Sequence, residues 1–349
     1  MSSITQFTAE ESRLIAQTKS VARVLYFFLG GWVGLIALGA RLPYDTVGWQ
    51  IFWTFYTSYF LFTWTSCFHE TAHQTLASNK NFSIWLGRAL GTAMYVPYTI
   101  YRESHIRHHA YLNKPNDWEL WPYSDPSTSL WFRRVFVWLD VLCGVATAPI
   151  VYIRIFFHKH SPLKDPKIRR TIWMEFLGIV VFWSAVFGAL TYYGLWSEYF
   201  RIWFLPYWLA GVYQVSRKLT EHLGMASYDP MLGTRTVIGK GFITQLCSYM
   251  NFDIFIHGPH HRHPRVAHSG LRQKMSEYLQ ANPEINFPLY NSYLRATASM
   301  LPWMFKNPGV GMNVGAPAPS EAKTKNISNF VGDVTAEVLA DTDAIVGLH

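Results

Sequence analysis

Charge is what this sequence has least of. Only 15% of its 349 residues are Asp, Glu, Lys or Arg, where soluble domains carry about 25%. Cysteine is also sparse. Cys67, Cys143 and Cys247 lie far apart and form no CxxC pair, which excludes a disulfide framework and a thiolate metal site. Cys67, two residues before His69, reads as a packing thiol. The opening "MSSITQFTAEESRLIAQTKS" lacks a basic stretch followed by an apolar one, so no cleaved signal peptide is expected. Thr8 and Glu11 have capping-box spacing and predict a short surface helix there. No glycine-rich GxGxxG fingerprint occurs, so neither a nicotinamide nor a flavin site is expected. No internal repeat is visible. The net charge of +8 forms no stripe and no base-reading motif, which argues against a nucleic-acid partner.

Apolar residues take the space that charge leaves. Half of the chain is hydrophobic and 17% is aromatic. A bilayer-spanning helix needs about 20 mostly apolar residues, and four stretches qualify, at about 21–40, 47–68, 172–195 and 200–216. Two more are interrupted. Residues 82–101 contain Arg88 and Pro97, and residues 131–157 contain Arg133, Arg134, Asp140, Pro149 and Arg154. Charges at mid-membrane are costly, so both read as amphipathic helices at the interface or packed beneath the soluble part. The fold class expected is therefore all-α integral membrane, with four spans, interfacial helices and a cytoplasmic, histidine-rich helical cap. Arg41 and Arg201 are the only basic residues at the short connections between paired spans. The positive-inside rule then places both termini and the long middle segment in the cytoplasm, in a bacterial inner membrane or the endoplasmic reticulum. The chain divides into a cytoplasmic segment 1–20, a membrane domain 21–307 and a flexible small-residue tail 308–349. The Asn326-Ile327-Ser328 triplet carries no glycosylation meaning on that side.

Histidine is the conspicuous polar residue, with fourteen copies. "HETAH" supplies His69 and His73; "HIRHH" supplies His105, His108 and His109; "HGPHH" supplies His257, His260 and His261; His222 follows Glu221. All nine fall on the side assigned to the cytoplasm. Helix positions three and four apart share a face, so each cluster can turn its imidazoles one way. Neutral imidazole ligates iron, zinc, copper and nickel. Nine such groups exceed the needs of one ion with an open position, and two metals are the inference. Glu70, Glu103, Asp117 and Glu221 are the acids placed to orient those rings through their second nitrogens. His158 and His160 read as headgroup-level residues, His263 and His268 as outer neighbours, and His349 as part of the tail.

These motifs, in this order and with two spans before the first and two between the second and third, resemble the membrane fatty acid desaturase and hydroxylase superfamily over about residues 45–270. The resemblance implies two ferrous ions beneath a helical bundle, with His222 as the ninth ligand. It implies O2 as co-substrate and an unactivated C–H bond of a fatty acyl chain as target. Desaturation is the expected outcome; hydroxylation, acetylenic-bond formation and decarboxylation to a terminal alkene use the same boxes. Electrons would come from a ferredoxin or a cytochrome b5-type donor with its reductase, since the chain also lacks a fused HPGG haem stretch. Many relatives place an asparagine three or four residues before the third box; here Asn251 lies six before His257, and no ligand role is assigned to it. Catalytic residues beyond the metal ligands are not identified. Two rivals come from other classes. "HETAH" spells HExxH, the zinc protease motif, with Glu70 as base, but that leaves most of the clustered histidines unused. A metal transporter would put its ligands near mid-membrane, not at the boundary.

Overall fold

The computed structural model describes residues 46–76 and 79–319. The expected first span, 21–40, the capped helix near Thr8 and most of the tail lie outside them. The described chain is built of helices, with one two-residue parallel pairing of Thr236–Val237 (β1) and Leu289–Tyr290 (β2).

Helix α1, Val47–His73, runs 27 residues, about 40 Å at 1.5 Å per residue. It ends where Gln74 takes a left-handed conformation and returns its N–H to Glu70 and Thr71. Next come α2, Lys80–Ala93, and α3, Tyr98–Ala110. The single helix expected over 82–101 is thus two. Val96 donates to the Gly91 carbonyl at 2.8 Å, Tyr95 has φ 60°, and Pro97 cannot continue a helix begun before it. The stretch 131–157 is likewise divided, into α4, Leu130–Leu142, and α5, Gly144–Phe157. Arg133 and Asp140, two of its charges, face protein. Arg133 donates to Thr128, Asn307 and Asn313. Asp140 accepts from Thr147, Lys218 and Tyr123.

Helix α6, Pro166–Tyr193, is the one helix among the described residues that is long and apolar enough to cross a membrane. Asp165 caps its start and a left-handed Gly194 its end. Only Ile172, Ile179 and Trp183 are buried along it. Its one acid, Glu175, accepts from Thr99 N, Thr99 Oγ1 and Arg88 Nε at 2.8–3.0 Å. The last expected span, 200–216, begins as a π-helical segment, Phe200–Phe204, after the single turn α7, Trp196–Tyr199, and continues in α8, Leu205–His222. Helix α8 packs along α1 and crosses α5 where Gly144 and Gly211 meet; a Cβ at Gly144 would lie 2.9 Å from the Gly211 oxygen.

Beyond it lie α9, Pro230–Gly233, α10, Phe242–Met250, α11, His257–Arg262, α12, Leu271–Ala281, and α13, Tyr293–Lys306. The packed structure continues past 308, where the composition predicts a flexible tail. Val310 and Gly311 donate to the Tyr123 and Met225 carbonyls at 3.0 and 2.9 Å, and Tyr228 reaches Pro317.

Candidate metal centre

The C-terminal ends of three helices and the whole of a fourth, short one converge on one buried volume. The last turn of α1 brings His69 and His73, α3 brings His105, His108 and His109, α8 ends on His222, and α11 brings His257, His260 and His261. Helix C-termini carry partial negative charge, so this convergence favours a cation before any side chain is counted. The short α11 is placed by its flanks. Gly258 N donates to Thr236 Oγ1 at 2.9 Å, and Val237 N donates to Phe255 O. A Cβ at Gly258 would meet that Thr236 oxygen at 3.0 Å.

The nine imidazoles, each no more than 9% exposed, fall into two groups. His69, His73, His105, His109 and His260 form one; each has an imidazole nitrogen within 4.8 Å of one in every other. His108, His222 and His261 satisfy the same condition, and Glu221, His222 and His257 do so with a Glu221 carboxylate oxygen in place of one nitrogen. The second set is tied together by His257 Nε2, 2.9 Å from His222 Nε2 and 3.1 Å from His261 Nε2. The groups abut where the His109 and His261 rings stack at 4.1 Å.

Several rings are oriented from behind. Asp117 Oδ2 lies 2.8 Å from His108 Nδ1, and Glu119 lies 3.0 Å from His105 Nδ1. The Ile254 carbonyl is 3.2 Å from His257 Nδ1. An ionised carboxylate or a carbonyl can only accept, so each Nδ1 carries the proton and each Nε2 lone pair is turned inward. Of the four acids read from the sequence, Asp117 meets His108. Glu70 lies 3.3 Å from His69 Nδ1 and accepts from Thr75. Glu221 lies 3.5 Å from His257 Nε2 and is gripped by Arg217 at 2.8 and 2.9 Å. Glu103 serves arginines instead, 2.7 Å from Arg107 and 3.4 Å from Arg102. Glu119 was not among the expected acids; its signal was its place two residues beyond Asp117 in the loop after the second box.

Burial, and then the neighbouring imidazoles, hold His69, His109, His222, His260 and His261 well below the ordinary histidine range. Burial pushes Glu221 up to about 7 against the pull of Arg217. The site is therefore rich in neutral imidazole, the ligating form. Among the described residues, Nε2 of His69, His73 and His260 finds no hydrogen-bond partner. Unpartnered buried nitrogens are costly, and facing nitrogens near 3 Å can satisfy at most one proton each. A shared cation answers both problems, so the donor set fits metal ions.

The other histidines stand outside. His263 meets the Tyr278 hydroxyl and His268 packs near Phe252, both buried; His158 lies edge-on to Trp118. His160 is exposed, and His349 lies outside the described residues. Cys67 is buried and free. Asn251 is held by Ser66, Tyr59 and the Cys247 carbonyl, which locks α10 to α1.

An apolar cavity of about 100 Å³ adjoins the site. Phe68, Tyr101, Trp64, Trp203, Ala210 and Gln214 are in its wall, between α1, α5 and α8. Tyr101 stacks on Phe68 at 4.4 Å and on His105 at 5.3 Å, so one aromatic layer separates the cavity from the imidazoles.

Comparison with known proteins agrees with this picture. The family model described as "Fatty acid desaturase" matches residues 46–293. The chain is similar to a chloroplastic omega-6 fatty acid desaturase from Glycine max, 24% identical over 60% of this chain and 53% of that protein, so it spans about half of that relative's length. It is also similar to an sn-1 acyl-lipid omega-3 desaturase (ferredoxin) from Synechocystis, 26% identical over 79% of this chain and 82% of that one.

Proposed function

Because the chain belongs to the fatty acid desaturase family and is an oxidoreductase of lipid metabolism, we propose that it introduces a double bond into a fatty acyl chain at a pair of iron ions held by the nine histidines. The observation that carries this reading is the twofold grouping of buried imidazoles beside an apolar cavity. All-imidazole ligation suits a redox-active ion with open positions. When bound, the iron pair would supply the redox chemistry by which O2, two external electrons and two protons remove two hydrogens from a CH2–CH2 unit, leaving a double bond and two waters.

The protein's own contribution is placement and exclusion. The cavity wall binds the chain and keeps water from the reacting carbons. Asp117, Glu119 and the Ile254 carbonyl fix the rings. Arg217 keeps Glu221 in register beside His257 and His222. In the bilayer, four spans at about 21–40, 47–68, 172–195 and 200–216 would carry this cap on the cytoplasmic face, and the outward apolar side of α6 would meet lipid. A ferredoxin supplies electrons in our reading, supported by the name of the Synechocystis relative, an omega-3 desaturase (ferredoxin), and by the basic cytoplasmic surface; a cytochrome b5-type donor is the variant of it. The HExxH protease reading uses a few of these histidines and leaves the rest without a purpose, and a transporter would hold its ligands near mid-membrane.

The test is metal content and product. Purified full-length protein should hold two irons, and His108→Ala and His260→Ala should each lose at least one iron and all turnover. Acyl profiling of cells with and without the gene should show a new internal double bond. An alcohol, an alkyne or a terminal alkene in its place would transfer the chain to another reaction of the same site chemistry. A single zinc with iron-independent turnover would end the proposal.

A further inference from the structure

A second pocket, of about 470 Å³, lies between α2, α3 and the first half of α6. Unlike the apolar cavity, it has two cations in its wall, Arg88 and Arg170. Arg88 spends Nε on Glu175 at 3.0 Å, and its guanidinium lies 4.9 Å from the centre of the Trp85 ring. Among the described residues its two terminal nitrogens meet no acceptor. Arg170 is exposed and makes no hydrogen bond or ion pair among those residues. Glu175 is already engaged, accepting from Thr99 N, Thr99 Oγ1 and Arg88 Nε. It cancels one guanidinium, so the pocket keeps one net positive charge. Arg170 stands on the second turn of α6, and Met174 and Gly178 follow it at intervals of four residues on the same face. The pocket thus runs about 12 Å along the helix, from its charged start into its apolar length. An added Cβ at Gly178 would meet nothing within 4 Å, so the groove is open there. Beyond it, Trp183 Nε1 donates to the Thr92 carbonyl at 2.8 Å and pins α6 to α2. Trp85, also in the wall, is 67% exposed, and tryptophan is the residue type that sits at the level of lipid headgroups.

We propose that this pocket is a binding site for one anionic glycerophospholipid of the cytoplasmic leaflet, held as a resident lipid. The inference goes beyond the oxidation chemistry and rests only on α6 crossing the bilayer from a cytoplasmic start. A phosphodiester carries one negative charge and acceptor oxygens, which Arg170 and the terminal nitrogens of Arg88 receive. One acyl chain then follows Met174 and Gly178 inward. A zwitterionic lipid brings an ammonium as well, and the acid that could answer it, Glu175, is spent on Thr99 and Arg88. The site therefore selects a headgroup without a cation. Inorganic phosphate would meet the charges and leave the apolar length of the groove empty. The bound lipid is distinct from the substrate. Phe68 is in the wall of the apolar cavity and Tyr98 in the wall of this pocket. Their rings meet edge to face at 6.1 Å, and Tyr98 donates to the Thr71 carbonyl at 2.8 Å, so a packed layer separates the two spaces. Seated here, the lipid ties α6 to α2 and to α3, the helix that carries His105, His108 and His109.

The experiment uses the full chain, purified in an uncharged detergent and stripped of lipid. Its thermal midpoint is followed while phosphatidylglycerol, phosphatidylethanolamine of the same acyl chains, or inorganic phosphate is added, and native mass spectrometry counts the lipids bound. Phosphatidylglycerol should fill one saturable site and raise the midpoint, at lower concentration than phosphatidylethanolamine. Inorganic phosphate at matched ionic strength should leave the midpoint where it was. Arg170→Gln should weaken phosphatidylglycerol binding by about three- to tenfold, the scale of one partly exposed charge-assisted contact. Gly178→Leu fills the groove with no change of charge and should weaken binding at least as much. Neither substitution should lower the lipid-free midpoint, because Arg170 holds no other described side chain and position 178 faces open space. Equal binding of the two lipids, a response to inorganic phosphate matching that to phosphatidylglycerol, or wild-type phosphatidylglycerol affinity in either variant would each overturn the assignment. None of these readings involves turnover, so acyl profiling decides the desaturase reading separately.

Discussion

At the scale of single residues, the clearest division is between groups that face the centre and groups that hold those groups. Asp117 and Glu119 are of the second kind, since their oxygens meet Nδ1 of His108 and His105. Asp117→Asn and Glu119→Gln should each weaken metal binding by about 10- to 100-fold, measurable as iron retained against a competing chelator, while the fold survives. Glu103→Gln should leave iron retention nearly unaltered, because that carboxylate answers Arg107 and Arg102. The sequence told these cases apart only in part. Proximity to a box nominated Glu103 and Asp117 equally, and only the direction in which a helix or loop turns its side chain decides between them. Glu119 was invisible for the same reason. Asn251 shows the opposite outcome. Its odd spacing from the third box gave no ground for a ligand role, and the structure uses its amide to tie α10 to α1. Asn251→Ala should cost about 1–3 kcal/mol, by leaving Ser66 without its acceptor, read as a lower thermal midpoint in detergent.

At the scale of elements, composition located the apolar helices between Val47 and His222 but not α9, α10, α12 or α13, and local backbone chemistry decided where they break. The 82–101 and 131–157 stretches are continuous in hydropathy but not in the chain. The turn at 94–97 depends on Gly91, whose added Cβ would lie 2.3 Å from the Val96 oxygen. The break at Cys143 lets Gly144 reach α8. Such close approaches depend on a partner helix distant in sequence, and no periodicity encodes them. Gly144→Ala makes the point testable. Its Cβ would meet Val215 Cγ2 at 2.6 Å and the Gly211 oxygen at 2.9 Å, and backbone cannot swing away. Because both glycines also line the cavity, the helices must part there. The expected loss is about 1–3 kcal/mol of stability from overpacking, together with altered chain-length selection among the products. A variant with unchanged midpoint and unchanged product lengths would show that the α5–α8 crossing does not shape the substrate space.

At the scale of the whole molecule, the fold buries nine titratable rings in one place. The histidine motifs made the centre legible because their spacing, three and four residues, is the spacing of a helix face. The pairing of motifs into two groups was not legible, since it depends on how α1, α3, α8 and α11 meet. That meeting has a cost without metal. His69, His109, His222, His260 and His261 have folded-state values well below the ordinary 6.5, mainly from burial. The sign follows from linkage. Above pH 6.5 these groups are neutral in both states and contribute nothing to pH dependence. As pH falls below 6.5, the unfolded chain takes up protons that these five rings refuse in the fold, so they make the metal-free protein lose stability with acid; the single carboxyl of Glu221, raised to about 7, works against them over the same range. Bound metal adds to the loss from the other direction, because it needs the same neutral nitrogens. An ion present at 100 times its dissociation constant stabilises the fold by about 2.7 kcal/mol. Chelated protein should therefore unfold at a lower temperature than iron-loaded protein at pH 7.5, and its midpoint should fall further as pH drops from 6.5 to 5. Replacing His69 or His109 with Gln, which cannot protonate, should flatten that acid slope in the chelated protein. A chelated protein whose midpoint is level from pH 7.5 to 5 would mean that the imidazoles are not held neutral by the fold, and the buried centre described above would lose its electrostatic basis.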